Sequence, residues 1–350
     1  MPALAVGREL RKQSPGIKLI YVGNTGSLEE RLAMVEGIDF FSVSIKPLRR
    51  GVLFPNLAVP FLAGNSIIQA RKILRQNNVK MVFGSGGFSS WPACAAARFM
   101  RLPYYLTDGN AYPGLVTRLL GRKAAKIYIA FDQTKDYFGS NANNFLLTGF
   151  PVSDSIGRLN KHEARIALGL DPDRITLLAT GGSGGARTIN QAISGAKDAL
   201  IEQGYNLIWQ TGKQWETENA TDTNSSRNFL VEKFLEPARM AAAIAAADIA
   251  VTRCGIMTLS ELAVAGLPAL LVPFPYSAEG HQEANAQAVE MAGGGIMIRD
   301  KDLTPERLLQ TLNETINQGT LARMSANFLK LARPDAARLI AANMLGTVNA

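Results

Sequence analysis

The stretch Thr180-Gly181-Gly182-Ser183-Gly184-Gly185 has the composition of an anion cradle. An apolar run, Ile175–Ala179, leads into it, and a helix-length amphipathic run follows. Glycines allow a tight turn and let backbone N–H groups approach a ligand, and the helix N-terminus adds partial positive charge. A diphosphate is the natural guest, and a plain turn is the competing reading. No Lys-Ser/Thr pair follows, so this is not a P-loop, and the glycine spacing is not that of G-x-G-x-x-G. A second chemical stretch runs from Thr252 through Gly255 to Ile256, Met257, Thr258, Leu259, Ser260 and Glu261. Here a strand turns into a helix, with Glu261 expected in the first helical turn facing the glycine loop. Its carboxylate can accept two ribose hydroxyls. The plainer reading is a Thr258–Glu261 capping box. Pro273-Phe274-Pro275 then opens a loop carrying His281, Gln282, Glu283 and Asn285, side chains able to hydrogen-bond a sugar or base, or simply a polar helix start.

The first half carries weaker signals. Phe83-Gly84-Ser85-Gly86-Gly87 is another strand-to-turn pattern, and Thr107-Asp108-Gly109-Asn110 places Asp108 and Asn110 at a strand's carboxyl end. Between residues 47 and 76, Leu, Phe and Ile mix with Arg49, Arg50, Arg71, Lys72 and Arg75. That mixture suits an anionic membrane interface, or a core helix with a solvated face. Asp171-Pro172-Asp173 has the spacing of a metal-binding D-x-D, but Asp and Pro are ordinary turn formers.

These residues need elements to hold them. Strand-like runs alternate with helix-length runs along the chain, which is the βαβ pattern of parallel sheets. At 350 residues the chain has room for two domains. The boundaries expected are 1–152, 153–325 and a C-terminal helical segment, 326–350, that packs back on the first domain. The fold class is α/β, with two doubly wound Rossmann-like domains facing across a cleft. Two cysteines make no disulfide framework, and two histidines exclude a multi-histidine metal site. No run of eighteen apolar residues is present, which points to a soluble or peripheral protein. Residues 1–152 hold 19 Lys and Arg against 8 Asp and Glu, whereas the remainder hold 18 against 21. The basic first half therefore suits an anionic partner, whether nucleic acid, membrane or phosphorylated acceptor. The opening, Met1-Pro2-Ala3-Leu4-Ala5-Val6, reads as a helix with no strand before it.

Taken together, "GGSGGARTIN", "TRCGIMTLSELAVAGLPALLVPFPY", "HQEANA", "FGSGGFSSWP" and "GFPV" resemble glycosyltransferase family 28 over nearly the whole chain. The resemblance implies the GT-B fold and inverting transfer of N-acetylglucosamine from UDP-N-acetylglucosamine to the lipid-linked acceptor undecaprenyl-pyrophosphoryl-MurNAc-pentapeptide, a step of peptidoglycan synthesis. It implies no cofactor, no essential metal and no nucleic acid. It places the protein at the anionic cytoplasmic face of the plasma membrane. By motif, Gly182, Ser183 and Gly184 meet the diphosphate or sugar, and Leu235 presents backbone to uracil. Ile256 to Glu261 line the nucleotide, Glu261 on the ribose. Gln282 and Asn285 reach sugar hydroxyls, and Asn110 touches donor or acceptor sugar. The departures are as informative. The family's His-Glu-Gln-Asn is Thr107-Asp108-Gly109-Asn110 here, and an expected arginine is Ser153. Trp91 stands where the family has a glycine. The family's opening strand and Gly-Gly-Thr-Gly-Gly-His have no counterpart, so its favoured base is missing. Asp108 is the nearest substitute, if desolvation raises its pKa. The sequence expectation is a missing real start: without a central first strand, two neighbours expose their ladder groups and the core opens. Such a chain should bind its donor better than it catalyses. The alternatives are another lipid-directed family 28 transferase or a non-catalytic UDP-sugar-binding remnant. An epimerase of similar fold would need catalytic carboxylates and a histidine that cannot be assembled here.

Overall fold

The structure, a computed structural model, describes residues 2–45, 59–141, 144–213, 215, 228–317 and 319–348. Residues 46–58, which carry Arg49 and Arg50, and most of the polar loop 219–228 lie outside the described residues. The chain divides into two compact units, residues 1–152 with 335–350, and residues 153–334.

The first unit opens on α1 (Pro2–Gln13). Its good helix formers bury Leu4, Val6 and Leu10, place Arg11 and Lys12 in the last turn, and stop at Pro15. There follow β1 (Ile20–Gly23), α2 (Leu28–Val35), β2 (Asp39–Ser42), α3 (Val59–Gln76), β3 (Val82–Gly84) and α4 (Trp91–Phe99). Then come β4 (Tyr104–Asp108), α5 (Leu115–Leu120), β5 (Lys126–Ile129) and β6 (Phe145–Leu147). Among the described residues β1 pairs with β2 alone, while β3, β4, β5 and β6 form a separate ladder in that order, every pair parallel. The unit's sheet is thus in two pieces. β2 is an addition to the sequence reading. Its Asp39 and Ser42 are exposed and only the two phenylalanines between them are half-buried, so no apolar run marks it.

The second unit contains α6 (Lys161–Ala167), β7 (Thr176–Thr180), α7 (Arg187–Glu202), β8 (Asn206–Gln210), β9 (Phe229–Glu232), α8 (Pro237–Ala246) and β10 (Ile249–Thr252). It continues through α9 (Ile256–Ala265), β11 (Ala269–Leu271), α10 (His281–Met291), β12 (Gly295–Met297), α11 (Pro305–Asn317) and α12 (Thr320–Leu331). Its strands form one parallel sheet, β9-β8-β7-β10-β11-β12. In order of appearance that is 3-2-1-4-5-6, the doubly wound dinucleotide-binding order. β7, β8 and β10 are buried along their whole length, because helices cover both faces and every side chain needs an apolar neighbour. On one face Leu177, Trp209 and Val251 meet Ile189, Ile193 and Leu200 of α7 and Leu308 and Leu312 of α11. The last helix, α13 (Ala336–Val348), belongs to the first unit, where Ile340, Ala341 and Met344 pack with Ala5, Val6 and Leu10 of α1.

Candidate functional site

In a doubly wound sheet, ligands sit beyond the carboxyl ends of the strands where the strand order reverses. In the second unit that point lies between β7 and β10, which are hydrogen-bonded neighbours. Thr180, the last residue of β7, pairs with Thr252, the last of β10. The two chemical stretches therefore leave the sheet side by side and at the same level.

After β7 the chain makes the glycine turn. Gly182 and Gly185 adopt φ of 78°, which L side chains rarely tolerate. A Cβ on Gly185 would lie 2.4 Å from the Thr211 carbonyl oxygen. The turn closes through Gly185 N–H on the Gly182 carbonyl at 3.0 Å. Ser183 and Gly184 are exposed at its tip. α7 then starts with Ala186 as a cap that supplies no side-chain hydrogen bond, and no acid occupies its first turn. Its leading N–H groups and partial positive charge are left for a ligand.

β10 hands over to α9 in the same way, with Gly255 as the cap and no side-chain cap bond. This corrects the capping-box expectation. α9 begins at Ile256, so Thr258 is inside the helix rather than ahead of it, and Glu261 stands in the second turn. Freed from capping, Glu261 is half-buried, and burial pushes its carboxyl from 4.5 up to about 7. Met257, Thr258 and Ser260 are half-buried beside it, while the Leu259 side chain is in the core.

The other sequence-predicted residues act on these two turns. Gln282 Oε1 accepts the N–H groups of Cys254 and Phe274, at 3.1 and 3.0 Å. Asn285 is fully buried and donates to the Cys254 carbonyl at 3.1 Å. Both amides thus fix the β10–α9 turn from behind, and Asn285 has no exposed surface to offer a sugar in this structure. Leu235 has a buried side chain and gives its N–H to Gln210 Oε1 at 2.9 Å.

Gln210 is a residue that the sequence reading missed. Its Nε2 donates to Thr180 Oγ1 at 3.1 Å and to the Gly182 carbonyl at 3.0 Å. One buried amide therefore joins the glycine turn to Leu235. The available signal was a polar amide ending the wholly buried strand Asn206–Gln210. Arg253 was also missed. Its Nη1 bonds the Val272 and Pro273 carbonyls and Asp300, Asp300 accepts Thr188 of α7, and the guanidinium lies 5.4 Å from the Phe274 ring. His281 Nε2 lies 3.3 Å from Glu279. Asp171 accepts the Asp173 N–H and pairs with Arg174 ahead of β7, at the sheet's opposite end, as expected of a turn. Among the described residues no group of three His, Cys, Asp or Glu side chains is placed to hold a metal ion.

Asp108 and Asn110 belong to the first unit, at the end of β4. Asp108 is buried, and both its oxygens are engaged: Oδ1 accepts from the Asn110 backbone and Nδ2 at 3.2 Å, and Oδ2 accepts Gly114 N–H at 2.7 Å. It organises the 108–114 turn through these hydrogen bonds.

Models of the glycosyltransferase family 28 N-terminal domain and C-terminal domain match residues 1–129 and 176–340. The chain belongs to glycosyltransferase family 28. Among its family 28 relatives is the UDP-N-acetylglucosamine--N-acetylmuramyl-(pentapeptide) pyrophosphoryl-undecaprenol N-acetylglucosamine transferase of Desulforamulus reducens. It is 33% identical, over 96% of this chain and 92% of that one. The protein of the same name from Desulfitobacterium hafniense is 34% identical, over 99% and 95%. Among solved structures, MurG of Acinetobacter baumannii is similar with a TM-score of 0.75 and 26% identity, over 99% of this chain and 95% of that one. The family 28 fold is the GT-B type with two Rossmann-like units, as the motifs implied.

Proposed function

We propose that this protein is an inverting N-acetylglucosaminyltransferase. It takes the sugar from UDP-N-acetylglucosamine and delivers it to undecaprenyl-pyrophosphoryl-MurNAc-pentapeptide. The observation that carries this reading is the pair of helix N-termini, α7 and α9, left without side-chain caps at the switch point of the second unit's sheet. A diphosphate seated there meets backbone N–H groups and two helix dipoles, which stabilise the departing UDP in the transition state. Glu261 receives the ribose hydroxyls, and Leu235 presents its backbone to uracil. Ser183, exposed at the tip of the glycine turn, completes the polar contacts of the second unit. The names and near full-length coverage of the relatives support the acceptor class.

The membrane-bound acceptor calls for a membrane-facing surface. Among the described residues no helix is long and apolar enough to cross a membrane. Phe99, Leu115 and Leu119 are exposed on the neighbouring helices α4 and α5, where Arg98 also donates to the Leu119 carbonyl. On α3, Ile68 is exposed with Arg71, Lys72 and Arg75. Apolar residues ringed by cations support peripheral binding to anionic lipid on the cytoplasmic face.

A second reading, donor binding without transfer, is favoured by the engagement of both Asp108 oxygens. One assay separates the two. With radiolabelled UDP-N-acetylglucosamine and a short-chain lipid acceptor, the transferase reading expects labelled disaccharide product. Tight UDP binding with no product at high protein concentration would leave only the donor-binding reading.

A further inference from the structure

The two helix N-termini of the proposed diphosphate site are held by separate sets of bonds. Gln210 ties the glycine turn towards Leu235. Gln282 and Asn285 tie the β10–α9 turn towards α10. The backbone ladder that joins the two stretches ends at the pair Thr180 and Thr252, whereas α7 starts at Arg187 and α9 at Ile256. Beyond the ladder, the spacing of the two helix ends has to be set by side chains.

Asp300 bridges them from a third element. It opens the short helical turn Asp300–Asp302 that follows β12. Its Oδ2 accepts the hydroxyl of Thr188, the second residue of α7, at 3.0 Å. Its Oδ1 accepts Nη1 of Arg253, the first residue beyond β10. The same Nη1 also bonds the Val272 and Pro273 carbonyls, so three acceptors fix the guanidinium. The place of Asp300 is itself set by packing. Leu303 is buried in the same core as Leu308 and Leu312 of α11, and α11 lies against α7. Pro305 sits so close to α7 that a Cβ on Gly195 would come 2.5 Å from its ring. Charge works in the same sense. A lone carboxylate at the positive end of α7 would compete with a diphosphate, and Arg253 offsets it.

We propose that Asp300 is a positioning residue for the transfer reaction, acting through Thr188 and Arg253 to hold the N-termini of α7 and α9 at the separation that a diphosphate requires. This rests on the donor-site reading given above. N–H donors held in place before the ligand arrives need no reorganisation as the leaving group gathers charge. The link touches the ends of the two helices, so it acts on the diphosphate and not on the base. A residue that merely supported the fold would not tell the two parts of the nucleotide apart.

The test compares UDP with uridine, which lacks the diphosphate, on the full chain. UDP is titrated by calorimetry and the weaker uridine by competition against it. Thr188→Val keeps the side chain's shape and changes no charge. It should weaken UDP about fivefold, the worth of one hydrogen bond, and leave uridine unchanged. Thr188→Ser keeps the hydroxyl and should recover most of the loss. Asp300→Ala removes the other partner of the same bond, so adding Thr188→Val to it should weaken UDP no further. An unchanged ratio of UDP to uridine affinity in Thr188→Val, or a full fivefold loss when it is added to Asp300→Ala, would overturn the proposal while leaving the donor site standing. A wild-type protein that binds no UDP would overturn the donor-site reading, and this proposal with it.

Discussion

Glu261 shows how one residue ties local chemistry to a measurable pH profile. Burial raises its carboxyl from 4.5 to about 7, so the free protein holds this proton more tightly than the unfolded chain does. Stability of the ligand-free protein should therefore fall as pH rises from about 4.5 to about 7 through this group. Two ribose hydroxyls donate only to the ionised form with full effect, so nucleotide binding expels the proton. Affinity for UDP should be about tenfold lower at pH 6 than at pH 8. Titration calorimetry in two buffers of different ionisation enthalpy should detect proton release near pH 7, and Glu261→Gln should abolish both effects. A pH-independent affinity in the wild-type protein would remove the ribose role. Gln210 makes a different demand. Gln210→Leu keeps the volume but leaves Leu235 N–H and the Gly182 carbonyl without their partner. A cost of about 1–3 kcal/mol in urea denaturation is expected, together with weaker UDP binding. Loss of stability with unchanged affinity would mean that Gln210 supports the core alone.

At the scale of elements, the site is two strand-to-helix turns held against each other, and backbone geometry rather than side-chain chemistry sets their shape. Gly185→Ala puts a methyl group 2.4 Å from the Thr211 carbonyl at a φ of 78°. The turn must move, and UDP binding should be lost by calorimetry. Gly184→Ala has open space around its Cβ and no positive φ, so it should bind UDP nearly as the wild type does. If both variants bind alike, the turn is not a diphosphate cradle. The helix behind it is a separate matter. Ile193 of α7 is fully buried against the sheet, and Ile193→Ala should cost about 2–5 kcal/mol while leaving the turn's geometry and UDP affinity largely intact.

For the whole molecule, surface chemistry predicts salt-sensitive attachment to membranes. Sedimentation with anionic vesicles should capture the protein at low salt. Binding should fall steeply as ionic strength rises, and Phe99→Ser with Leu119→Ser should weaken it at every salt concentration. Binding to neutral vesicles of equal strength would exclude the basic residues from the attachment. Much of this architecture was legible in the chain itself. Fully buried strands such as Asn206–Gln210 and Ile249–Thr252 announce themselves as apolar runs, because both faces of a covered parallel sheet exclude water. The glycine turns were legible because positive φ and close backbone approach leave glycine as the residue that fits. β2 was not, since an edge strand with exposed ends has no apolar run to show. The sequence by itself determined the two βα series, the family and the two turns that carry the donor chemistry, all of them local in chain order. Only the tertiary structure decided that Glu261 is free of capping duty, that Asp108 spends both oxygens on its own turn, and that Gln210 reaches across 25 residues to Leu235. Those facts depend on which distant backbone groups meet, and hydrogen-bond partners far apart in the chain leave no periodicity in the sequence.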